Sequence, residues 1–277
     1  MKHRNVVFAG AAFTGLIALT AACGGSSEGA GAPAQSDGAP APAATLRVAT
    51  DARLGVHLVD GNGRSLYYFA KDVPAGAARA AVSNCNAECL PVWPIFHTDS
   101  VVAQGINATD VGEITRSDGG KQTTYKGFPL YYFAGDTAAG DTNGEGVNGI
   151  WFVVHDPTYS IALLSKTNEA ASYLTDGAGR ALYTFSLDTV GTATTAPVTA
   201  CTSATCMTSW PIFLTDQVTV PSGLVAADFT AYTRADGMQQ SAYKGHPLYH
   251  YAGDTAPGET NGRSVPNWQT IDPTAAL

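Results

Sequence analysis

Two close pairs of cysteines are the side chains best suited to chemistry in this sequence: Cys85 with Cys89, and Cys201 with Cys206. A reactive pair requires a thiol whose pKa is lowered by a helix N-terminus or a nearby cation. The residues between these cysteines supply no cation, and Glu88 would act in the opposite direction. The pattern favours two structural disulfides, with a redox-active pair as the alternative. Four cysteines allow three connectivities, of which pairing within each close pair is the simplest.

An oxygen-rich segment is the second candidate for chemistry, because calcium prefers carboxylate and amide oxygens as ligands. The side chains that could supply them are Asp136, Asp141, Asn143 and Glu145. Their spacing is not that of an EF-hand, and Arg263 stands where the second half of the chain should repeat Glu145. A solvated, glycine-rich turn explains the segment better. We therefore predict no cofactor, with calcium as the weaker alternative.

A third pattern occurs four times: Leu-Tyr, a second aromatic residue two places after the Tyr, and an Asp five places after it. Its members are Tyr67, Phe69 and Asp72; Tyr131, Phe133 and Asp136; Tyr183, Phe185 and Asp188; and Tyr249, Tyr251 and Asp254. Residues two apart on a strand share a face, so each copy presents two aromatic rings for packing. The Asp falls where the strand should end, and its carboxylate can fix the following turn by accepting backbone N–H groups. A Tyr and an Asp five apart face opposite sides of a straight strand, which argues against a shared ligand site.

Signatures of known catalytic sites are lacking. The sequence has no Gly-x-Ser-x-Gly and no His-Glu-x-x-His. The His97 and Asp99 pair is not repeated, because Leu214 stands in the place of the histidine. We predict that the protein is not an enzyme.

The elements that carry these residues come in two copies. The segment from Cys85 to Trp93-Pro94 is repeated from Cys201 to Trp210-Pro211, and Tyr-Lys-Gly-x-Pro-Leu-Tyr occurs in both halves. Residues 46–160 and 161–277 are therefore two copies of one unit. The Leu-Tyr motif occurs twice in each copy, which indicates an older duplication within each copy.

Short strands and glycine-rich turns dominate both copies. Residues 56–59 and 65–69 flank the turn Asp60-Gly61-Asn62-Gly63, as in a β-hairpin, and residues 150–154 have the composition of a buried strand. We predict an all-β fold, with two tandem copies of a small antiparallel β unit related by pseudo-twofold symmetry. A compact, propeller-like array of four units is the alternative.

The N-terminal segment has the pattern of an export signal. Residues 1–22 contain a basic start and an apolar stretch too short to span a bilayer, followed by small residues before Cys23. This arrangement predicts a lipoprotein signal peptide, with lipidation of Cys23. Residues 23–45 form a Gly-, Ala-, Pro- and Ser-rich linker with little apolar surface to bury. We expect the chain to be exported and anchored by lipid to the outer face of the cell membrane or to the outer membrane.

These motifs together resemble those of a bacterial family of secreted-repeat lipoproteins, which is defined by Tyr-x-(Phe/Trp/Tyr)-x-x-Asp. All four copies of the motif match, as do the paired cysteines before Trp-Pro. The resemblance covers residues 46–275. It implies a tandem repeat and a lipoprotein, and it carries over no catalytic residues, because the function of that family is unknown.

Charge excludes some partners. The formal net charge is -8, and removal of Lys2 and Arg4 with the signal leaves 13 basic against 23 acidic residues. No basic patch is present to neutralise phosphates, so we expect no nucleic-acid partner. The sequence favours a non-catalytic binding or scaffolding role at the cell envelope, towards an envelope protein or an extracellular ligand. The alternatives are a redox or electron-transfer accessory and a calcium-stabilised adhesion module.

Overall fold

The computed structural model describes residues 45–156, 159–165 and 171–275. The predicted signal peptide, the lipidation site Cys23 and nearly all of the linker lie outside these residues. Among the described residues, no helix has the length and apolar character needed to cross a membrane.

Short strands account for most of the regular structure. The first half contains β1 Leu46–Asp51, β2 Gly55–Asp60, β3 Tyr67–Phe69, β4 Ala103–Gln104, β5 Val111–Thr115, β6 Lys121–Tyr125, β7 Phe128–Pro129 and β8 Trp151–Val153. The second half contains β9 Ile161–Ser165, β10 Ser172–Asp176, β11 Tyr183–Phe185, β12 Phe229–Thr233, β13 Gln239–Tyr243, β14 His246–Pro247 and β15 Trp268–Thr270. One α-helix, α1, spans Ala204–Ser209, and single 3-10 turns lie at Ala108–Asp110, Val147–Gly149, Ala226–Asp228 and Asn261–Ser264.

The strands form small, almost entirely antiparallel sheets in the order β2-β1-β4, β3-β8 and β5-β6-β7 in the first half. The second half has β10-β9, β11-β15 and β12-β13-β14. The short contact of β1 with β4 is parallel. The predicted all-β fold of tandem repeats is confirmed. In the part of the chain that the structure describes, each sheet has two or three strands, whereas a propeller blade has four.

The two halves share a hydrophobic core. One cluster of buried residues draws on both halves, with Phe152 and Leu163 at 0% and 5% exposure and Leu248 at 0%. Backbone contacts also cross the junction, since the Ser165 N–H donates to the Ala70 carbonyl at 2.7 Å. The described residues accordingly belong to one compact unit.

A tight turn explains the repeated Tyr-Lys-Gly sequence. Lys126 and Gly127 join β6 to β7 with φ of 46° and 86°, and Lys244 and Gly245 join β13 to β14 with φ of 47° and 81°. Two successive positive φ values define the hairpin turn in which Gly is strongly preferred at the second place. Each turn also holds the loop that follows a motif Asp, because the Gly245 carbonyl accepts the Gly191 N–H at 2.8 Å.

Candidate functional site

The tyrosines of the two motifs in each half lie side by side. Tyr67 and Tyr131 exchange both backbone hydrogen bonds, at 2.9 and 3.0 Å. Tyr183 and Tyr249 do the same at 2.9 and 3.0 Å in the second half. All four rings are fully buried. The motif is therefore a pairing unit, and each half contains one complete pair.

Each motif tyrosine donates its hydroxyl proton to the aspartate of the other motif in the same half. Tyr67 bonds Asp136 at 2.6 Å, and Tyr131 bonds Asp72 at 2.7 Å. The second-half pairs are Tyr183 with Asp254 at 2.5 Å and Tyr249 with Asp188 at 2.8 Å. The sequence argument against a Tyr–Asp contact concerned residues of one motif, five places apart. The structure forms the contact between motifs, about sixty to seventy residues apart.

The second carboxylate oxygen of each aspartate closes a loop. Asp72 and Asp188 accept the backbone N–H groups of Asn84 and Ala200, both twelve residues further along the chain, at 2.6 and 2.7 Å. The other two aspartates each accept an N–H seven residues further along. Loops of two fixed lengths are thus clamped at equivalent places in both halves.

Burial shifts the pKa values of the aspartates and tyrosines that form these clamps. Desolvation raises the pKa of Asp72 to about 7, although its N–H and O–H donors and a nearby guanidinium act to lower it. Burial also raises the pKa of Asp136 and Asp188. It raises the pKa of the four motif tyrosines as well, so they remain proton donors at every ordinary pH. The clamps are therefore directional hydrogen bonds rather than reactive phenolates.

A buried arginine extends the Asp72 clamp. Arg116 donates from Nη1 to the Ser83 hydroxyl, and Ser83 lies 2.6 Å from the Tyr131 hydroxyl. When Asp72 is ionised it accepts the Tyr131 proton, so Ser83 must then donate to Tyr131 and the chain of bonds has one direction. Such a chain is cooperative, since each bond polarises the next.

The same arrangement recurs in the second half with altered details. Thr199 lies 2.5 Å from the Tyr249 hydroxyl, and Arg234 donates to the Cys201 carbonyl at 3.1 Å, as Arg116 does to the Cys85 carbonyl at 2.7 Å. The candidate residues singled out from the sequence did not include either arginine. Their repetition, as Arg-x-Asp-Gly in each half, was the signal that could have singled them out.

A cleft opens beside each arginine. The first cleft lies between residues 81–84 and 114–117 and has a volume of about 330 Å³. The second cleft lies between residues 196–199 and 232–236, with Thr202, and has a volume of about 480 Å³. A further cavity of about 420 Å³ adjoins the second cleft, with Ala196, Pro197 and Tyr232 lining both. The two clefts use equivalent segments of the two halves and have the size of small ligand sites.

One cysteine of each disulfide is buried in the same hydrophobic cluster as a column of stacked aromatic rings. The structure joins Cys85 to Cys89 and Cys201 to Cys206, which is local pairing. In the first half, Trp93 stacks on Trp151 with centroids 3.8 Å apart, and Phe69 stacks on the other face of Trp151 at 4.1 Å. The equivalent second-half column is Trp210, Trp268 and Phe185, at 3.6 and 4.3 Å.

The four oxygen-bearing side chains proposed for calcium are engaged by the protein itself. Asp141 accepts the N–H groups of Thr137 and Ala138, both at 2.8 Å. Glu145 accepts the N–H groups of Val153 and Ser222 at 2.6 and 3.1 Å. Within the described residues, no three Asp, Glu, His or Cys side chains converge as metal ligands do. These carboxylates hold loops and the junction between the halves.

One comparison identifies the class of protein. The model of a family described as a secreted repeat of unknown function matches residues 48–97, 112–155 and 230–271. The first two matches lie in the first half of the chain and the third in the second half. The chain belongs to this family of secreted repeats, as its motifs predicted. No curated protein and no solved structure matches the chain.

Proposed function

We propose that the protein is a lipid-anchored, extracytoplasmic binding protein without catalytic activity, and that the first and second clefts contact its partner at the cell envelope. The observation that carries this proposal is the repetition of one cleft, in equivalent positions, on a frame clamped by buried Tyr–Asp bonds. Clefts held by a rigid frame are common in binding proteins. The residues that line such a cleft are already ordered, so little of their conformational entropy is lost on binding.

The redox alternative has less support. Cys85 is 1% exposed and Cys201 is 0% exposed, so one sulfur of each disulfide is shielded from a reductant. Structural disulfides are of this inert kind, whereas reactive cysteines lie in partly exposed, electropositive surroundings. We therefore assign the disulfides to the support of the arginine-binding loop, where the Cys85 and Cys201 carbonyls accept Arg116 and Arg234.

The binding role is tested by photo-cross-linking in cells that export the protein. Benzoylphenylalanine replaces Thr115 or Thr233, which are exposed side chains on the walls of the two clefts, or Gln269 as an exposed control on β15. We expect an adduct of one discrete size at Thr115 or Thr233 and none at Gln269. Adducts of equal yield at all three positions, or none at any, would contradict the proposal.

The anchor is tested separately. Cys23→Ala removes the thiol that would carry the lipid, so the protein should move from the membrane fraction to the soluble extracytoplasmic fraction. Metabolic labelling with a radioactive fatty acid should mark the wild-type chain and leave the variant unlabelled. A Cys23→Ala chain that stays with the membrane and keeps its label would show that another residue is modified.

A further inference from the structure

The strand that walls each cleft has one unpaired edge. In the second half, the Lys244 N–H donates to the Asp228 carbonyl at 2.7 Å, and the Arg234 N–H donates to the Met238 carbonyl at 2.9 Å. The β12–β13 register continues this pairing, so even-numbered residues of β12 bond inward to β13. The backbone groups of Ala231 and Thr233 must therefore point away from β13.

The opposite wall of the second cleft is a short extended segment held by one isolated β-bridge. Val198 exchanges both backbone hydrogen bonds with Thr189, at 2.8 and 3.0 Å. In an extended segment the neighbouring backbone groups point the other way. The Pro197 carbonyl and the Thr199 N–H therefore face away from Thr189, on the side that lines the cleft.

The first half repeats both edges. The Lys126 N–H bonds the Asp110 carbonyl at 2.7 Å, and the β5–β6 register leaves the backbone groups of Glu113 and Thr115 pointing outward. On the facing wall, Val82 exchanges both backbone hydrogen bonds with Val73, at 2.8 and 2.9 Å.

The two edges of each cleft do not bond to one another. Among the described residues, no backbone hydrogen bond joins 81–84 to β5 or 196–199 to β12. Instead a side chain reaches across: Arg234 extends from the end of β12 to the Cys201 carbonyl. A gap between two strand edges can be filled by one further strand, which lies about 4.8 Å from each neighbour.

We propose that each cleft binds an extended peptide segment of another exported protein by strand addition. The peptide makes backbone hydrogen bonds to Thr233 in the second cleft and to Ala231 next to it, where the adjoining cavity begins. In the first half it bonds to Thr115 in the cleft and to Glu113 next to it on β5. This proposal rests on the binding role proposed above and specifies the ligand. Rows of unpaired N–H and C=O groups are the usual template for an added strand. The backbone of the peptide supplies the complementary donors and acceptors, whatever its sequence.

The side chains around the second cleft indicate which peptides fit. Arg234 is neutralised by Asp236 at 2.9 Å, so this pair leaves no net charge for a ligand to match. Most other lining residues are small or β-branched: Ala196, Pro197, Val198, Thr199, Thr202, Thr233 and Ala235. We infer a segment of uncharged, small or β-branched residues, and the adjoining cavity leaves room for it to continue along residues 191–197.

The test compares two substitutions of one residue in the full chain, extracted from the envelope of cells that export it. Ala231→Pro removes the outward N–H and no ladder bond, because proline is tolerated on an edge strand where its nitrogen faces away from the neighbour. Ala231→Val keeps the N–H and adds more side-chain bulk at the edge. A displayed library of random heptapeptides is selected against the wild-type protein, and the enriched peptides are then measured against both variants.

We expect enriched peptides to bind Ala231→Val within threefold of wild type and Ala231→Pro at least about tenfold more weakly, a difference of about 1.4 kcal/mol. In the wild-type protein, bound peptide should also slow hydrogen exchange at the Ala231 and Thr233 amides by at least about tenfold. This second measurement decides the matter if Ala231→Pro does not fold.

Failure of strand addition is distinguishable from failure of the binding role. If no peptide is enriched, or enriched peptides bind both variants equally and leave these amides unprotected, strand addition is wrong. If the Thr233 photo-adduct still forms in the Ala231→Pro background at wild-type yield, the binding role stands and only the strand mechanism falls. If no adduct forms in any background, both proposals fall.

Discussion

The Tyr–Asp clamp stabilises the fold because neither partner could be buried alone at low cost. A buried carboxylate without donors is strongly unfavourable, and a buried phenol needs an acceptor. Asp188 meets this requirement with the Tyr249 hydroxyl at 2.8 Å and the Ala200 N–H at 2.7 Å. The same pair of bonds ties a motif strand to the loop that leads into the disulfide, so one side chain connects three elements.

Removal of one tyrosine hydroxyl measures how much a Tyr–Asp clamp contributes to the free energy of unfolding. Tyr249→Phe leaves Asp188 and Thr199 without their shared partner, and we expect the free energy of unfolding to fall by about 1–3 kcal/mol. Tyr251→Phe is the matched control in the same motif, because the first half already carries Phe133 at that place and we expect a change within about 0.5 kcal/mol. Urea denaturation of both variants provides the measurement. An equal loss of unfolding free energy in the two variants would show that the Tyr249–Asp188 hydrogen bond does not stabilise the fold.

Asp72 should make stability depend on pH. Its folded-state pKa of about 7 lies above the ordinary value of 3.8, so the folded chain holds this proton more tightly than the unfolded chain. The resulting contribution is complete below about pH 4 and is lost as the pH rises to about 7. Its upper bound is about 4 kcal/mol, at about 1.4 kcal/mol for each pKa unit.

Asp72→Asn cannot ionise, and it isolates this contribution. The difference in free energy of unfolding between wild type and variant should favour wild type most at about pH 4 and shrink as the pH approaches about 7. Taking the difference cancels the opposite trend from buried histidines such as His57, whose pKa is lowered by desolvation. A difference that is constant between about pH 4 and pH 8 would mean that Asp72 ionises normally in the folded state.

At the scale of elements, each Lys-Gly turn joins the two strands of a hairpin and packs closely against the loop that follows a motif aspartate. A Cβ added at Gly245 would overlap the Gly191 carbonyl oxygen, whereas one added at Gly237 would meet nothing within 4 Å. Both glycines have positive φ, 81° and 84°. The first requirement for glycine at 245 is therefore the backbone conformation, and the second is the close approach of the loop.

This pair of glycines separates the two effects. Gly237→Ala should lower the free energy of unfolding by about 1–2 kcal/mol, the cost of a left-handed conformation for a residue with a side chain. Gly245→Ala carries the same cost plus about 1–3 kcal/mol for the overlap with Gly191. Thermal denaturation of the two variants tests this expectation, which fails if both lose the same stability.

Much of the element pattern could be predicted from the sequence. Residues 56–59 and 150–154 were predicted as strands, and β2 and β8 lie at these places. The duplication was visible because the same turn and cysteine segments recur. The partners of the motif aspartates could not be predicted, since the Tyr67–Asp136 contact joins residues 69 apart and local spacing carries no information about it. The clefts could not be predicted from the sequence for the same reason, because each forms between segments that are distant in the chain.

At the scale of the whole molecule, the duplicated sequence does not produce two independent domains. Phe152 of the first half and Leu248 of the second are both fully buried in one cluster. Glu145 of the first half accepts the Ser222 N–H of the second half at 3.1 Å. The disulfides and clamps are complete within each half, whereas the largest core is not. Each half alone would therefore expose apolar surface that the other half covers.

This division predicts one cooperative unfolding transition. Phe152→Ala should lower the free energy of unfolding by about 3–5 kcal/mol, and Leu248→Ala should lower it by about 2–5 kcal/mol. Both substitutions create cavities in the same core. Scanning calorimetry should show a single peak that each variant moves as a whole, with the calorimetric enthalpy equal to the van't Hoff enthalpy. A variant that splits the peak in two, with one part at the wild-type temperature, would show that the halves unfold separately. In that case the shared cluster would be a contact between domains rather than the core on which both clefts depend.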